Sequence, residues 1–123
     1  MTVPTSRAAA DQLLAEAMTE AQLLRQVRSL ANHYGWLIYH TKFSVGSDPG
    51  YPDLTLAHPS GRIIWAELKR QKGTVTEAQQ KWLDALVDAV VSMLNVGVYL
   101  WRPSDLMEGT IADALRVPRA GTR

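Results

Sequence analysis

Two neighbouring segments of the sequence have the alternating apolar pattern of β-strands. They contain three residues whose spacing suggests shared chemistry: Asp53, Glu67 and Lys69. The turn between the segments is short, and if it is centred on Ser60, Asp53 and Glu67 are direct cross-strand neighbours. Their Cβ atoms are then expected roughly 5 Å apart. Because alternate residues of a strand share a face, Lys69 extends from the same face as Glu67.

Two opposed carboxylates repel each other, which costs stability unless a positive charge lies between them. Lys69 supplies one such charge, and a divalent cation supplies more. Mg²⁺ prefers a few carboxylate oxygens together with waters and phosphate oxygens, which this pair offers. Bound Mg²⁺ or Mn²⁺ contacts a phosphodiester oxygen and lowers the pKa of a bound water, while Lys69 orients that water or stabilises charge growing on the phosphate. The three residues therefore favour metal-dependent cleavage of a nucleic-acid strand.

Glu20 and Gln79 are two further candidates, each with an ordinary structural alternative. Glu20 lies four residues before Leu24 and seven before Val27, on the apolar stripe of the first predicted helix. A carboxylate there either ligates the metal, which offsets the cost of its burial, or favours the helix dipole from the first turn. Gln79 is the fourth residue of the sequence TEAQ, and it either lies near the site or caps its own helix.

Four residues are candidates for contacting DNA: Lys42, Tyr51, Arg70 and Lys72. Tyr51 lies in a loop beside Asp53, and such loops often carry binding residues. Arg70 and Lys72 belong to a locally basic stretch, which can bind phosphate even on a balanced protein. For each basic residue the alternative is an ordinary solvated surface.

Histidine and cysteine indicate no other metal site. The chain has no cysteine, which excludes disulfides and thiolate ligands. Its three histidines share no spacing expected of a zinc site. Trp65 shares the face of Glu67 and is predicted to pack beneath the first helix as a core residue.

The length of 123 residues predicts one domain with a small core. No apolar run is long enough to span a membrane, and the N-terminus lacks a signal-peptide pattern, so a cytoplasmic location is expected. The net charge of +1 gives no global argument for nucleic-acid binding, which therefore depends on the local site.

The elements that must position these residues follow the order helix, three strands, helix, strand, helix. A three-stranded meander followed by a helical crossover predicts a mixed four-stranded sheet flanked by helices, an α/β domain. The first helix starts near Ser6, Asp11 or Thr19 and ends at Gly35. The other predicted elements are strands at 35–43, 52–58, 62–69 and 96–101 and helices from Thr76 to near Asn95 and from 103 to 116. A loose arm at 1–10 and a frayed tail at 117–123 are expected to flank the domain at 11–116.

In chain order, these motifs resemble the VRR-NUC (virus-type replication-repair nuclease) domain of the PD-(D/E)XK nuclease superfamily. The resemblance covers about residues 19–106, most of the chain, and each motif is weak alone but specific in this order. It rests on Glu20, Gly50-Tyr51-Pro52-Asp53, Glu67-Leu68-Lys69, Gly73, Gln79, Lys81-Trp82-Leu83, Trp101-Arg102-Pro103 and Asp105.

The resemblance implies a restriction-endonuclease-like core and a defined set of site residues. Asp53 and Glu67 are expected to hold Mg²⁺ or Mn²⁺ with help from the Leu68 carbonyl, and Lys69 matches the catalytic lysine. Two more positions match site residues of the family: Glu20 and Gln79. One departure is visible, because the helix continues through 87–94 where the family has a shorter link with an early glycine.

The resemblance also implies partners. Stand-alone members of this length look phage-encoded or bacterial and resemble homodimers that resolve branched DNA, such as Holliday junctions or flaps. The apolar stripe of the first helix extends back to Leu13, and this extension is either a dimer surface or a cap on the monomer core.

Two other functions stay open at this point. A binding module of the same fold without catalysis would keep DNA affinity, although the complete set of Asp53, Glu67 and Lys69 argues against it. A structural α/β protein would use the same side chains as a salt-bridge network, which explains the charges but not their order across separate elements.

Overall fold

The computed structural model describes residues 6–42 and 45–117 as a four-stranded sheet with helices on both sides. No helix within these ranges is long and apolar enough to cross a membrane. The elements are α1 (Arg7–Ala17), α2 (Glu20–His33), β1 (Leu37–His40), β2 (Leu54–His58), β3 (Arg62–Leu68), α3 (Glu77–Val90), β4 (Val96–Trp101), α4 (Pro103–Met107) and α5 (Thr110–Leu115).

The sheet has the order β1-β2-β3-β4 and is mixed, which confirms the predicted α/β class. β1, β2 and β3 form an antiparallel meander, and β4 returns parallel to β3 after the α3 crossover. Leu54 pairs with Ala66, and Thr55 pairs with Trp65. This register centres the β2–β3 turn on Ser60, so the predicted alignment of the two strands is correct.

The hydrophobic core lies on one face of the sheet, under α2 and α5. Apolar residues of β2 and β3 that point to this face are fully buried, because two helices cover them. Trp36 closes one end, where its Nε1 donates to the Leu115 carbonyl at 2.7 Å. The core consists of Leu23, Val27, Ala31, Trp36, Leu54, Leu56, Ile64, Ala66, Leu68, Trp101, Ile111 and Leu115.

Two predicted helices are each divided in the structure. At the N-terminal end the extended backbone of Met18 separates α1 from α2, and both predicted starts are used: Ser6 caps α1, and Thr19 opens α2 with a capping box. Near the C-terminus Gly109 adopts φ 83°, which separates α4 from α5. The observed order therefore contains two helices at each end where the prediction had one.

Several predicted boundaries need correction. The loose arm was predicted to reach residue 10, but α1 already begins at Arg7. The first strand ends at His40 rather than 43, and α3 ends at Val90 rather than near Asn95. Val117, the first residue of the predicted tail, packs against the core. The rest of that tail, 118–123, and residues 1–5 lie outside the described residues.

Candidate active site

Two hydrogen bonds between the adjoining ends of β2 and β3 hold the side chains of Asp53 and Glu67 next to each other. The Asp53 backbone N–H donates to Glu67 Oε1 at 3.0 Å, and the Leu68 backbone N–H donates to Asp53 Oδ2 at 2.8 Å. The sheet register brings the two carboxylates together, since the neighbouring pair Leu54–Ala66 fixes the alignment. The predicted cross-strand carboxylate pair is therefore present.

Glu67 is a buried carboxyl group whose proton is held tightly. Only 1% of the residue is exposed. Burial, the charge of Asp53 and a side-chain hydrogen bond with Asp53 raise its pKa from 4.5 to about 8, because each favours the neutral carboxyl group over the carboxylate. The Asp53 N–H and the positive charge of Lys69 act in the opposite direction and lower the pKa of Glu67. Near neutral pH the pair therefore holds a proton that a cation would displace.

Lys69 completes the predicted trio at the end of β3. Its backbone N–H donates to the Trp101 carbonyl at 3.1 Å, which extends the pairing of β3 with β4 by one residue. The residue is 9% exposed, and its positive charge lowers the pKa of Glu67. Within the described ranges, the Lys69 ammonium forms no ion pair with a carboxylate. Its charge is therefore not neutralised by a structural salt bridge.

One buried oxygen of the pair accepts no hydrogen bond from the described residues. This oxygen is Oε2 of Glu67, which is fully buried. A buried acceptor left unpaired costs about 1–3 kcal/mol, and a cation shared with Asp53 would satisfy it. No group of three or more His, Cys, Asp or Glu side chains positioned for a metal occurs in the described ranges. Mg²⁺ is commonly bound by one or two carboxylates plus waters and phosphate oxygens, so the two carboxylates fit it.

Asp53 lines an open cleft of about 560 Å³ between β1, the loop 45–53 and the start of α3. Lys42 and Tyr51, predicted to contact DNA, line the same cleft. Gln79 also lines it, although its Oε1 accepts from the Thr76 N–H at 2.9 Å in a complete capping box. Both interpretations of Gln79 are therefore compatible with its position.

Tyr51 is held in place by two tryptophans rather than moving with a free loop. Trp65 Nε1 donates to the Tyr51 hydroxyl at 2.8 Å, and the Trp82 ring meets the Tyr51 ring edge-on at 5.0 Å between centroids. The prediction that Trp65 packs beneath the first helix is wrong, because β3 directs this side chain to the opposite face. Its neighbours Ile64 and Ala66 face the helix instead.

Gly50 fixes the distance between this loop and α3. A Cβ at Gly50 would lie 2.4 Å from the carbonyl carbon and oxygen of Ala78, and the residue has φ 89°. Only glycine meets both conditions without displacing the backbone. The loop that precedes Asp53 therefore rests directly on the first turn of the helix.

The structure does not bring Glu20 to the carboxylate pair. Glu20 is exposed in the first turn of α2, and it forms no group of three metal-ligating side chains with Asp53 and Glu67. The predicted ligand role is therefore corrected to the alternative, a first-turn acid that favours the helix dipole. The predicted stripe is confirmed in part, since Val27 is buried and Leu24 is partly buried, but Glu20 itself is exposed.

Of the basic residues predicted to contact DNA, Arg70 and Lys72 lie away from the cleft. Lys72 Nζ forms an ion pair with Glu16 of α1 at 3.5 Å and lines a different cleft, between α1 and α4. Arg70 is exposed, and its carbonyl accepts from the Arg102 guanidinium at 2.7 Å. Neither residue lines the cleft that Lys42 and Tyr51 line, and neither do Glu67 and Lys69, so the predicted DNA contact of Arg70, next to Lys69 in the chain, stays a prediction.

Outside the loop 45–53, three described residues of the cleft were not assigned to it from the sequence: Tyr39, Thr41 and Trp82. Thr41 donates its backbone N–H to the Asp53 carbonyl at 2.7 Å, and its buried hydroxyl has no partner within the described ranges. Tyr39 could have been found from strand alternation, because it opposes Thr55 on the face that carries Asp53. Trp82 reaches the cleft through α3 packing, which no local pattern indicates.

Comparison with known proteins gives no relative for this chain. No protein-family model matches it, no curated protein matches it, and no solved structure matches it.

Proposed function

We propose that this protein is a divalent-metal-dependent DNA endonuclease that hydrolyses phosphodiester bonds. The observation that carries the proposal is the buried pair of carboxyl groups, Asp53 and Glu67, in which Oε2 of Glu67 accepts no hydrogen bond from the described chain. A purely structural salt-bridge network would pair such an oxygen with a cationic side chain. Lys69 is close enough to lower the pKa of Glu67, yet forms no ion pair with it.

Each residue then has a distinct role. Asp53 and Glu67 would hold Mg²⁺ or Mn²⁺, with the Leu68 carbonyl as a further oxygen ligand. A bound divalent cation supplies Lewis-acid stabilisation of the scissile phosphate and a nucleophilic water at neutral pH. Lys69 orients that water or stabilises charge on the phosphate. Gln79 and Lys42, which line the cleft in front of Asp53, contact the strand on either side.

We place the chain, as part of this proposal, in the restriction-endonuclease-like fold and the VRR-NUC group. Support comes from the mixed sheet and from the position of the Asp53 and Glu67-Leu68-Lys69 motifs at the adjoining ends of β2 and β3. The proposed substrate is branched DNA, such as a Holliday junction or a flap, and a phage or bacterial host cytoplasm is the proposed setting.

A two-fold dimer is proposed for that substrate. One domain carries one Asp53–Glu67 centre, and symmetric cutting of a junction needs two. Leu13 and Leu14 of α1 are exposed apolar side chains that a second copy would cover. Sedimentation of the wild type beside Leu13→Glu tests this proposal. A wild-type dimer that becomes monomeric in the variant supports α1 as the interface. A wild type that is already monomeric contradicts the proposed dimer.

The function is tested by incubating the purified protein with labelled DNA in Mg²⁺, Mn²⁺ or EDTA. The panel comprises a four-way junction, a flap, a splayed duplex and a linear duplex, each run beside Lys69→Ala. Cutting that requires metal and disappears in the variant supports the nuclease, and the preferred substrate identifies its class. If the wild type binds DNA but cuts none of these substrates with either metal, the nuclease proposal is contradicted, and a catalytically inactive DNA-binding module is the better interpretation.

A further inference from the structure

Tyr39 is an exposed aromatic side chain at the cleft that contains Asp53. It is 64% exposed and lies on β1, two residues after Leu37 and on the same face. The other aromatic side chains of the cleft, Tyr51 and Trp82, contact each other. The Tyr39 ring has no such ring contact among the described residues. It therefore offers an open aromatic surface within the cleft.

We propose that Tyr39 stacks an unpaired DNA base while the adjoining phosphate lies at the Asp53–Glu67 pair. The inference rests on the proposed function and narrows its substrate to strands with at least one unpaired nucleotide beside the cut. Stacking on an aromatic ring requires a base that is not already stacked within a duplex. The proposed subsite therefore discriminates against continuous double-stranded DNA.

The dimensions of the cleft suit a nucleotide. Its volume of about 560 Å³ lies within the range of roughly 300–1,000 Å³ that is typical of small-ligand sites. Tyr39 lines one wall, and Asp53 lines the same space. Glu67 is buried behind Asp53 and does not line this space. A base against the Tyr39 ring and a phosphate at Asp53 would thus occupy a single cleft rather than two separate surfaces.

The charges of the cleft make strand binding depend on the metal. Among the described residues that line it, the charged types are Lys42, Asp48 and Asp53, whose formal charges sum to a negative value. A phosphate backbone is repelled by this surface until a divalent cation binds at Asp53 and Glu67, because the two charges of the cation offset both the net charge of the lining and the proton that Glu67 releases. Lys42, which is exposed and three residues after Tyr39, then contacts the next phosphate.

The experiment measures binding without cleavage, in Ca²⁺, which takes the same type of oxygen ligands as Mg²⁺. One probe is a duplex with a single-stranded tail carrying 2-aminopurine, whose fluorescence falls when the base stacks, and the other is a fully paired duplex. Wild type is expected to quench the tail probe and to prefer it over the duplex. Tyr39→Ala should weaken binding of the tail about tenfold, the scale of one stacked base, and should abolish the quenching.

Two variants serve as controls. Tyr39→Phe keeps the ring and should bind the tail within about twofold of wild type. Leu37→Ala removes an exposed side chain of the same strand and face that does not line the cleft, and it should change neither probe. If Tyr39→Ala weakens both probes equally, or weakens neither, Tyr39 is not a stacking platform and the inference is overturned.

The outcomes separate this inference from the proposed nuclease activity. If the wild type cuts DNA in a metal-dependent way but the tail probe shows no stacking, the Tyr39 subsite is contradicted. The proposed nuclease activity is still supported in that case. If quenching depends on Tyr39 but the wild type cuts no DNA in Mg²⁺ or Mn²⁺, the subsite is supported and the nuclease activity is contradicted. Binding of neither probe contradicts both.

Discussion

The backbone N–H of Asp53 donates a hydrogen bond to Oε1 of Glu67 at 3.0 Å, which locks the two carboxylates side by side at the adjoining ends of β2 and β3. The contact orients Glu67 so that its second oxygen, Oε2, stays buried without a partner in the described part of the chain. It also couples the two acids electrostatically, since the charge of Asp53 helps raise the pKa of Glu67 to about 8. The first predictions concern this coupling.

In EDTA, the free energy of unfolding of the wild type should fall as the pH rises from about 4.5 to 8. Over this window the folded protein retains a proton on Glu67 that the unfolded chain has released, because the pKa is about 8 when folded and 4.5 otherwise. The slope contributed by one group is at most about 1.4 kcal/mol per pH unit. Urea denaturation at pH 5, 6, 7, 8 and 9 measures it.

Glu67→Gln is the matched variant, because it keeps the shape of the side chain and cannot ionise. Its stability should lack this component of the pH dependence and should exceed that of the wild type at pH 9 in EDTA. Equal pH profiles for the two proteins would show that Glu67 ionises in the folded protein as easily as in the unfolded chain.

Mg²⁺ or Mn²⁺ should raise the unfolding temperature of the wild type, and the increase should grow as the pH approaches 8. The metal binds the ionised carboxylates, so it must displace the proton on Glu67, and the displacement becomes easier with rising pH. At a metal concentration ten times the dissociation constant, the gain is about 1.4 kcal/mol. Thermal unfolding at pH 6, 7 and 8, with and without metal, gives the comparison.

Asp53→Asn should remove this metal effect. Asp48→Asn makes the same change of charge in the same cleft but lies outside the carboxylate pair, and it should keep the effect. If both variants lose it, the metal responds to the overall charge of the cleft. If neither does, it binds elsewhere.

How far the sequence could predict this arrangement depends on the range of each interaction. Asp53 and Glu67 were found together because period-two alternation and a short turn fix the register over a few residues. Glu20 was misplaced as a ligand because its distance from the pair depends on where α2 packs, which no local pattern encodes. Tyr51 was expected in a flexible loop, whereas Trp65 and Trp82, distant in sequence, hold it.

Gly50→Ala should destabilise the protein by more than the strain of its backbone angle alone. The new Cβ would meet the Ala78 carbonyl carbon and oxygen at 2.4 Å, so the loop before Asp53 must move away from α3. Gly61→Ala is the control, because Gly61 also has positive φ, at 96°, but a Cβ there meets nothing within 4 Å.

For the control we expect a loss of about 1–2 kcal/mol, the cost of a left-handed backbone for a residue with a Cβ. Gly50→Ala should lose about 3 kcal/mol or more, because the backbone overlap is added. Chemical denaturation measures both losses. Equal losses would mean that α3 yields without cost, and that Gly50 does not set the position of Asp53.

Arg102→Ala should destabilise the turn that follows Lys69. The Arg102 guanidinium Nη1 donates to three carbonyl oxygens of this turn, those of Arg70 at 2.7 Å, Gln71 at 3.2 Å and Gly73 at 2.8 Å. Charge-assisted hydrogen bonds contribute about 1.5–3 kcal/mol, so we expect a loss of that order for the cluster, measured by chemical denaturation.

Lys72→Ala is the comparison for this loss. Lys72 lies in the same turn, and its ion pair among the described residues is the exposed one with Glu16 at 3.5 Å, which is worth about 0–1 kcal/mol. A loss for Lys72→Ala that matches the loss for Arg102→Ala would show that the carbonyl contacts do not hold the turn.

Lys69→Met should slow cleavage strongly while leaving the fold and the metal site in place. Methionine keeps most of the length of the lysine stem and removes the charge, so a group that stabilises only the transition state is lost, at a cost of about 100- to 1,000-fold in rate. The metal-dependent rise in unfolding temperature should persist, because Asp53 and Glu67 are intact. Lys81→Met, an exposed lysine on α3, should keep both activity and stability.

A second readout for Lys69→Met does not depend on activity. The Lys69 charge lowers the pKa of Glu67, so its removal should raise that pKa further and extend the fall in stability to higher pH in EDTA. Lys81→Met should leave the profile unchanged. If Lys69→Met loses cleavage but shows the wild-type pH profile, Lys69 does not face Glu67, and its effect on the reaction arises away from the carboxylate pair.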